Sequence, residues 1–288
     1  MLDALFVLLQ RLLPARALGR LVHRASRSQR RWFKDALIRG FTRLYQVDLS
    51  EQDRRVPEDY PSLNAFFTRP LRAGARPLDP DPDSVVSPAD GTLEQLGQVG
   101  GDTSILAKGF RFSVEALLAA GPAEAARYQD GHIATIYLAP HNYHRFHMPV
   151  DARITEVLCV PGRRWAVNRR TARVVPGLFA ANERVVCLCE TARGPLAVVL
   201  VGAMNVASIS LAFAGEVMPR PDRGITRWRH GTGDDHVQLG RGDLLGQFNL
   251  GSTVILAAGP GVLDWDSSLR LGQPLRMGQR IGRLAAPG

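Results

Sequence analysis

The sequence predicts an α+β fold, amphipathic helices at the N-terminus followed by a β-rich domain, and three observations carry that expectation. Between Leu18 and Leu44 apolar residues recur three and four apart with Arg and Lys between them, the period of a helix with one apolar face. Beyond Asp48 the character changes to short β-branched and apolar runs punctuated by Gly and Pro, which is strand chemistry. At 288 residues and 45% hydrophobic, the chain can bury a substantial core.

The first segment, Leu2 to Leu13, is mostly apolar but stops at Pro14 and contains Asp3, Gln10 and Arg11. It falls short of the roughly 20 apolar residues that span a bilayer. No basic segment precedes it and no small-residue cleavage pattern follows, so it reads as retained. The second stretch runs from Leu18 to Val22 and on through Trp32, Phe33, Leu37, Ile38, Phe41 and Leu44. It suits helices lying in a membrane interface, or alternatively helices packed on the core with a solvated basic face. Residues 1–45 carry ten basic and two acidic side chains, an excess of eight against +9 for the whole chain. The rest is close to neutral, so the charge predicts an anionic membrane surface as partner and no nucleic acid.

The polar, Pro-containing stretch near 50–62 predicts a division into a helical, basic, membrane-associating region, 1–62, and a β-rich domain, 63–288. Helices are expected over Ser62 to Thr68 and Ser113 to Ala119, with Ser113 as N-cap. Strands are expected over Ala134 to Leu138, Arg153 to Val160, Val185 to Leu188, Leu196 to Val201 and Thr253 to Leu256. Cys159, Cys187 and Cys189 are too few and too poorly spaced for a disulfide framework or a four-ligand zinc site, and read as reduced core residues.

Three features bear chemistry: Ser87-Pro88-Ala89-Asp90-Gly91, the run His141-Asn142-Tyr143-His144-Arg145-Phe146-His147, and Phe248-Asn249-Leu250-Gly251-Ser252-Thr253. They offer an acid, a base and a hydroxyl, the residue types of a nucleophilic triad. Each also has a plain structural reading. The first could be only a turn and the last a turn entering a core strand. The histidine spacing invites a metal, but no further ligands stand at a known spacing, so none is expected. On an extended strand His141 and His147 would share a face and His144 and His147 would not. Gly before Ser also lets the peptide carbonyl be approached closely and held strained, so a Ser hydroxyl could attack it. Two other classes remain open on residue types: a carrier domain like biotinyl domains, which would need a modifiable Lys in a turn, and a zinc peptidase using the histidines.

Over almost its whole length the sequence resembles the bacterial phosphatidylserine decarboxylase family, which is pyruvoyl-dependent. The matching blocks stand in order: Leu63-Asn64-Ala65-Phe66-Phe67-Thr68-Arg69-Pro70-Leu71, Ser87 to Gly91, Tyr143 to Pro149, Pro161-Gly162, Val167-Asn168, Val201-Gly202-Ala203 and Gly246 to Val254. The resemblance implies a zymogen that cleaves itself between Gly251 and Ser252, with Asp90, His147 and Ser252 as self-cleavage triad. His147 would be the base and Asp90 its orienter. Ser252 would become the pyruvoyl group, the covalent cofactor, which forms a Schiff base with phosphatidylserine and yields phosphatidylethanolamine. A β chain, 1–251, and an α chain, 252–288, would stay together as a heterodimer, with a homo-oligomer also compatible. His144 would be the acid of the decarboxylation step. Arg163, Arg164 and Asn168 lie in a block that could meet a phosphodiester, yet Arg163-Arg164 is more basic than the family pattern, and a solvated charge pair is the default reading. The implied location is the cytoplasmic face of the cell membrane, peripherally bound.

Overall fold

The computed structural model describes residues 15–100, 104–107, 110–167, 171, 174–203, 208–217, 219, 221–230 and 236–286. The apolar stretch Leu2 to Leu13 and Asn168 lie outside them. Helices α1 (Ala15–Ser26), α2 (Arg31–Tyr45) and α3 (Leu63–Phe67) come first. Strands β1 (Ser84–Val86), β2 (Gly91–Gln98), β3 (Ser104–Ala107) and β4 (Phe110–Ser113) follow, then α4 (Val114–Leu118) and α5 (Pro122–Ala126). Next come β5 (His132–Leu138), β6 (Arg145–His147), β7 (Ala152–Val160), α6 (Leu178–Ala181), β8 (Arg184–Thr191) and β9 (Gly194–Val201). The chain continues with β10 (Ser208–Leu211), β11 (Gly215–Val217), β12 (Thr226–Arg229), β13 (Val237–Leu239) and β14 (Leu244–Asn249). It ends with β15 (Ser252–Ala258), β16 (Leu263–Trp265), β17 (Pro274–Leu275) and β18 (Arg280–Leu284). The fold is α+β.

The main sheet has the order β12-β7-β8-β9-β15-β5-β2-β17, with β13 also on β7. A second sheet runs β11-β10-β14-β6, a third β1-β18-β16, and β3 pairs β4. The central strands are buried on both faces. On β15, Val254 and Leu256 join the core between the sheets, while Ile255 and Ala257 join the core on the other face with Leu117 and Leu118 of α4. That double burial is why these strands read as unbroken apolar runs rather than alternating ones. Cys159, Cys187 and Cys189 are free and buried among them, and burial pushes the Cys159 and Cys189 thiols up to about 12.

The helical expectations rest on local capping. The Ser62 side chain accepts from Ala65 N at 3.2 Å and the Ser113 side chain from Ala116 N at 2.9 Å, so α3 and α4 begin where an N-cap serine allows. Helix α2 turns Ile38 into a small core with Tyr60 and Phe66, and its Phe41 ring lies 6.3 and 5.7 Å from those of Phe66 and Phe67. Helix α1 reaches the edge of the second sheet, where Arg27 pairs with Glu216 at 2.9 Å and donates to Ser208 Oγ at 3.3 Å.

Register then gathers distant parts of the chain at one end of the main sheet. Ser252 pairs with Leu138, the last residue of β5, and Thr253 with Val201, the last of β9. Arg184, the first of β8, pairs with both Val201 and Val160. Gly91 opens β2 beside the Thr92–Tyr137 pair, so it lies against the same end of β5. A Cβ on Gly91 would come within 2.5 Å of the Tyr137 carbonyl, which is why a glycine stands there.

Candidate active site

Strands β14 and β15 belong to different sheets, and only Leu250 and Gly251 connect them. Both have left-handed backbone, φ 80° at Leu250 and 77° at Gly251. A glycine takes that conformation freely, whereas a leucine is strained in it by roughly 1–3 kcal/mol. The bend therefore holds strain directly before the Gly251–Ser252 peptide. Asn249 anchors it from the β14 side. Its amide donates to Ser208 Oγ and Ser210 Oγ, both at 2.9 Å, and its Oδ1 accepts from Asn64 Nδ2 of α3 at 3.1 Å.

The histidine run is strand only over Arg145–His147, after a turn in which Asn142 N donates to the Ala139 carbonyl. Alternation therefore does not reach back to His141, which is exposed. His144 and His147 have separate surroundings. Phe248 N donates to the His144 carbonyl at 3.0 Å, whereas His147 pairs with Leu244, so His144 faces the corner end of β14 and His147 its start. The His144 ring lies 3.9 Å from that of Phe67 and donates Nδ1–H to the Asn142 carbonyl at 2.9 Å, leaving a buried Nε2 with no partner. Burial lowers its pKa to about 3, so it is a neutral imidazole with a free lone pair. His147 donates Nδ1–H to the Gly242 carbonyl at 2.8 Å, and its Nε2 accepts the Tyr143 hydroxyl at 3.1 Å. Burial lowers this pKa too, against smaller opposing effects that include the Asp90 charge.

Asp90 lies beside this strand, since His147 N donates to the Pro88 carbonyl at 2.8 Å. Its carboxylate is held by Arg76, Nε to Oδ1 at 2.8 Å and Nη2 to Oδ2 at 2.5 Å, and by Met277 N at 2.9 Å. Arg76 also pairs with Glu51 at 2.9 and 2.7 Å. The orienting hydrogen bond to His147 thus comes from the Gly242 carbonyl; Asp90 acts on the imidazole by its charge. Ser252 enters the site through its backbone register, opposite Leu138. With Gly91 on the other side of β5, two strand spacings, about 10 Å, separate the Asp90-Gly91 segment from Ser252.

Arg164 departs from the expectation of a solvated pair, whereas Arg163 agrees with it. Arg164 is largely buried and pairs with Glu183 at 2.9 Å, and a Cβ on Gly19 of α1 would lie 2.6 Å from its guanidinium. Arg163 is exposed, with its guanidinium carbon 5.7 Å from the Trp165 ring centroid. Sequence reasoning missed Tyr143, Arg76, Glu51, Arg69 and Asn249 as site residues. Tyr143 precedes the strand Arg145–His147, so strand alternation could not place it beside His147. Arg76 and Glu51 carried no local signal.

A sequence model described as phosphatidylserine decarboxylase matches residues 63–283, and a second, described as PSD, matches residues 5–46. The chain is 49% identical to a phosphatidylserine decarboxylase proenzyme of Azotobacter vinelandii over 98% of this chain and 99% of that one. It is 47% identical to proteins of the same description from Pseudomonas fluorescens, over 96% of each, and Pseudomonas putida, over 100% of this chain and 99% of the other. The chain belongs to the phosphatidylserine decarboxylase family.

Proposed function

We propose that the chain converts phosphatidylserine to phosphatidylethanolamine by means of a pyruvoyl group that it makes from Ser252 when it cleaves its own Gly251–Ser252 bond. The observation that carries this reading is the two-residue corner, left-handed at both Leu250 and Gly251, set directly before Ser252 at the end of β14 that His144 meets. The relatives' description as proenzymes agrees with a precursor that is processed.

In the first stage His147 is the base. Its tautomer is set by the Gly242 carbonyl, so Nε2 is the proton acceptor, and Tyr143 O–H is its hydrogen-bonded neighbour. The Ser252 hydroxyl loses its proton and adds to the Gly251 carbonyl carbon; the C–N bond breaks and an ester remains. Loss of the Cα proton and the ester carboxylate leaves dehydroalanine at 252, and hydrolysis with release of ammonia completes the pyruvoyl group. Asp90, clamped by Arg76, supplies a fixed negative charge that favours the imidazolium formed at His147.

The pyruvoyl carbonyl supplies an electron sink for the charge left when carbon dioxide departs. The residues around the corner fit such a group through His144, whose buried Nε2 has no partner among the described residues and whose carbonyl accepts from Phe248 N at the corner end of β14. Held neutral by burial, His144 can take a proton from the substrate ammonium at Nε2 and return it to the substrate α carbon. The expected acid of the sequence reading thus begins the cycle as a base. Helices α1 and α2 would bring the enzyme to an anionic bilayer as a peripheral protein on the cytoplasmic face; among the described residues no helix is long and apolar enough to cross a membrane.

The test is a denaturing gel with intact-mass analysis of the purified protein. Two fragments split after Gly251, the smaller of 37 residues with a blocked N-terminus, are expected. A single active chain of 31.5 kDa would overturn the reading. His147→Ala is expected to stop cleavage, while His144→Ala permits it and loses decarboxylation.

A further inference from the structure

Arg69 is a buried cation that no carboxylate touches among the described residues; Asp90, Glu51 and Asp48 act on it only from a distance. It is 3% exposed and, among the described residues, makes no ion pair. Its Nε has no partner among the described residues. The other two nitrogens reach only the carbonyls of Phe66 at 3.5 Å and His141 at 3.4 Å, at the long limit of a hydrogen bond. The guanidinium carbon sits 5.1 Å from the Phe66 ring centroid. The other buried arginine, Arg184, is satisfied by contrast: it donates to the carbonyls of Leu117 at 2.6 Å, Ala116 at 2.5 Å, Ala180 at 2.6 Å and Asn182 at 2.9 Å. A desolvated guanidinium left this bare costs several kcal/mol, which an anionic ligand would offset.

The position of Arg69 says which anion. It follows α3, whose Phe67 covers the His144 ring and whose Asn64 holds Asn249, three residues before Ser252. It touches the segment 141–144 through the His141 carbonyl. Asn64 Oδ1 and His144 Nε2, both without partners among the described residues, belong to α3 and to the segment 141–144, the two segments that Arg69 joins, so polar capacity is left open around it. Phosphatidylserine carries two anions. A guanidinium that grips the carboxylate stabilises the ground state of the group that must leave as neutral carbon dioxide, and so raises the barrier. The phosphodiester keeps its charge throughout and accepts a bidentate contact.

We infer that Arg69 binds the phosphodiester of the phospholipid headgroup and so sets where the reacting carbon lies against residue 252. The inference rests on the proposed reaction at Ser252.

The experiment compares Arg69→Gln and Arg69→Lys with the unaltered enzyme in detergent micelles containing phosphatidylserine. Two water-soluble inhibitors are used: glycerophosphoethanolamine, which has the phosphodiester and no carboxylate, and serine, which has the carboxylate and no phosphate. Loss of a charge-assisted contact predicts a KM higher by roughly 10- to 100-fold in Arg69→Gln, with a smaller change in kcat. Inhibition by glycerophosphoethanolamine weakens in the same proportion, Arg69→Lys lies between, and inhibition by serine is unchanged. Weakened serine inhibition with unchanged glycerophosphoethanolamine inhibition assigns Arg69 to the carboxylate and overturns the inference, as does an unchanged KM. If the Arg69 variants stay uncut on a gel, titration of glycerophosphoethanolamine onto the Ser252→Ala precursor, with and without Arg69→Lys, decides instead: equal affinity overturns it and a tenfold loss supports it. An unaltered enzyme that decarboxylates as one uncut chain refutes the Ser252 reading, and the KM comparison still judges Arg69.

Discussion

Arg76 shows how much a single side chain can carry. Burial alone would lower its pKa, but hydrogen bonds to Asp90 and Glu51 raise it above the ordinary value, so it is a fixed cation between two carboxylates. Arg76→Met leaves buried Asp90 without a cation and Glu51 with only the exposed Arg276, and is expected to cost about 3–5 kcal/mol of stability in urea denaturation. Arg276→Met removes a partner of Glu51 that is 65% exposed, and is expected to cost under ~1 kcal/mol. Equal losses would show that the buried network is not what holds Asp90. The histidines set a pH dependence. The folded pKa of His144 is about 3 and that of His147 is also lowered, both through burial, while the unfolded chain takes up protons from about pH 6.5. The unfolded state therefore binds more protons below pH 6.5, so stability is fully present above that pH and declines as pH falls toward 3. Urea midpoints at pH 7.5 and 5 should differ less in His144→Phe than in the unaltered protein; an identical difference would mean that His144 is not held neutral.

At the scale of elements, the corner between β14 and β15 is where the strain and the chemistry meet. Gly251→Ala puts a Cβ on a residue at φ 77°, which disfavours the corner by about 1 kcal/mol or more and crowds the carbonyl that Ser252 must attack. The 37-residue fragment should appear about tenfold more slowly or worse in a gel time course. An unchanged rate would remove the corner geometry from the cleavage reaction. The five expected strands all form, each reaching one to four residues further than its apolar run, because ladder hydrogen bonds extend past the side chains that give the signal. The short strands β1, β10, β11 and β16 to β18 carried no comparable signal. Two to five residues are too few to show a period, and pairing alone makes them strands.

For the whole molecule, helix α2 has two faces with different duties. Ile38 faces the small core with Tyr60 and Phe66, while Trp32 and Leu44 are 72% and 73% exposed. Removing the helix would uncover Phe66, which stacks under Arg69, so deletion of the N-terminal region would disturb the site as well as any membrane contact. The double substitution Trp32→Ala with Leu44→Ala separates the two. It should weaken binding to anionic vesicles at least about tenfold in low salt, with no change in melting temperature. Ile38→Ala should instead destabilise the fold by about 2–4 kcal/mol. Vesicle binding that is indifferent to Trp32 and Leu44 would sink the interfacial reading.

The order and composition of the sequence were enough to determine the α+β class, the five main-sheet strands β5, β7, β8, β9 and β15, the cap at Ser113, and the blocks around Asp90, His147 and Ser252. Those are local properties: period, β-branching, capping hydroxyls and motif spacing are written in neighbouring residues. The tertiary structure alone decided that Arg76 rather than His147 grips Asp90, that Arg164 is paired with Glu183, and that Arg69 is buried with no carboxylate in contact among the described residues. Such pairings join residues 14 to 25 or more positions apart through sheet register and helix packing, and burial, which sets their pKa values, has no local signature.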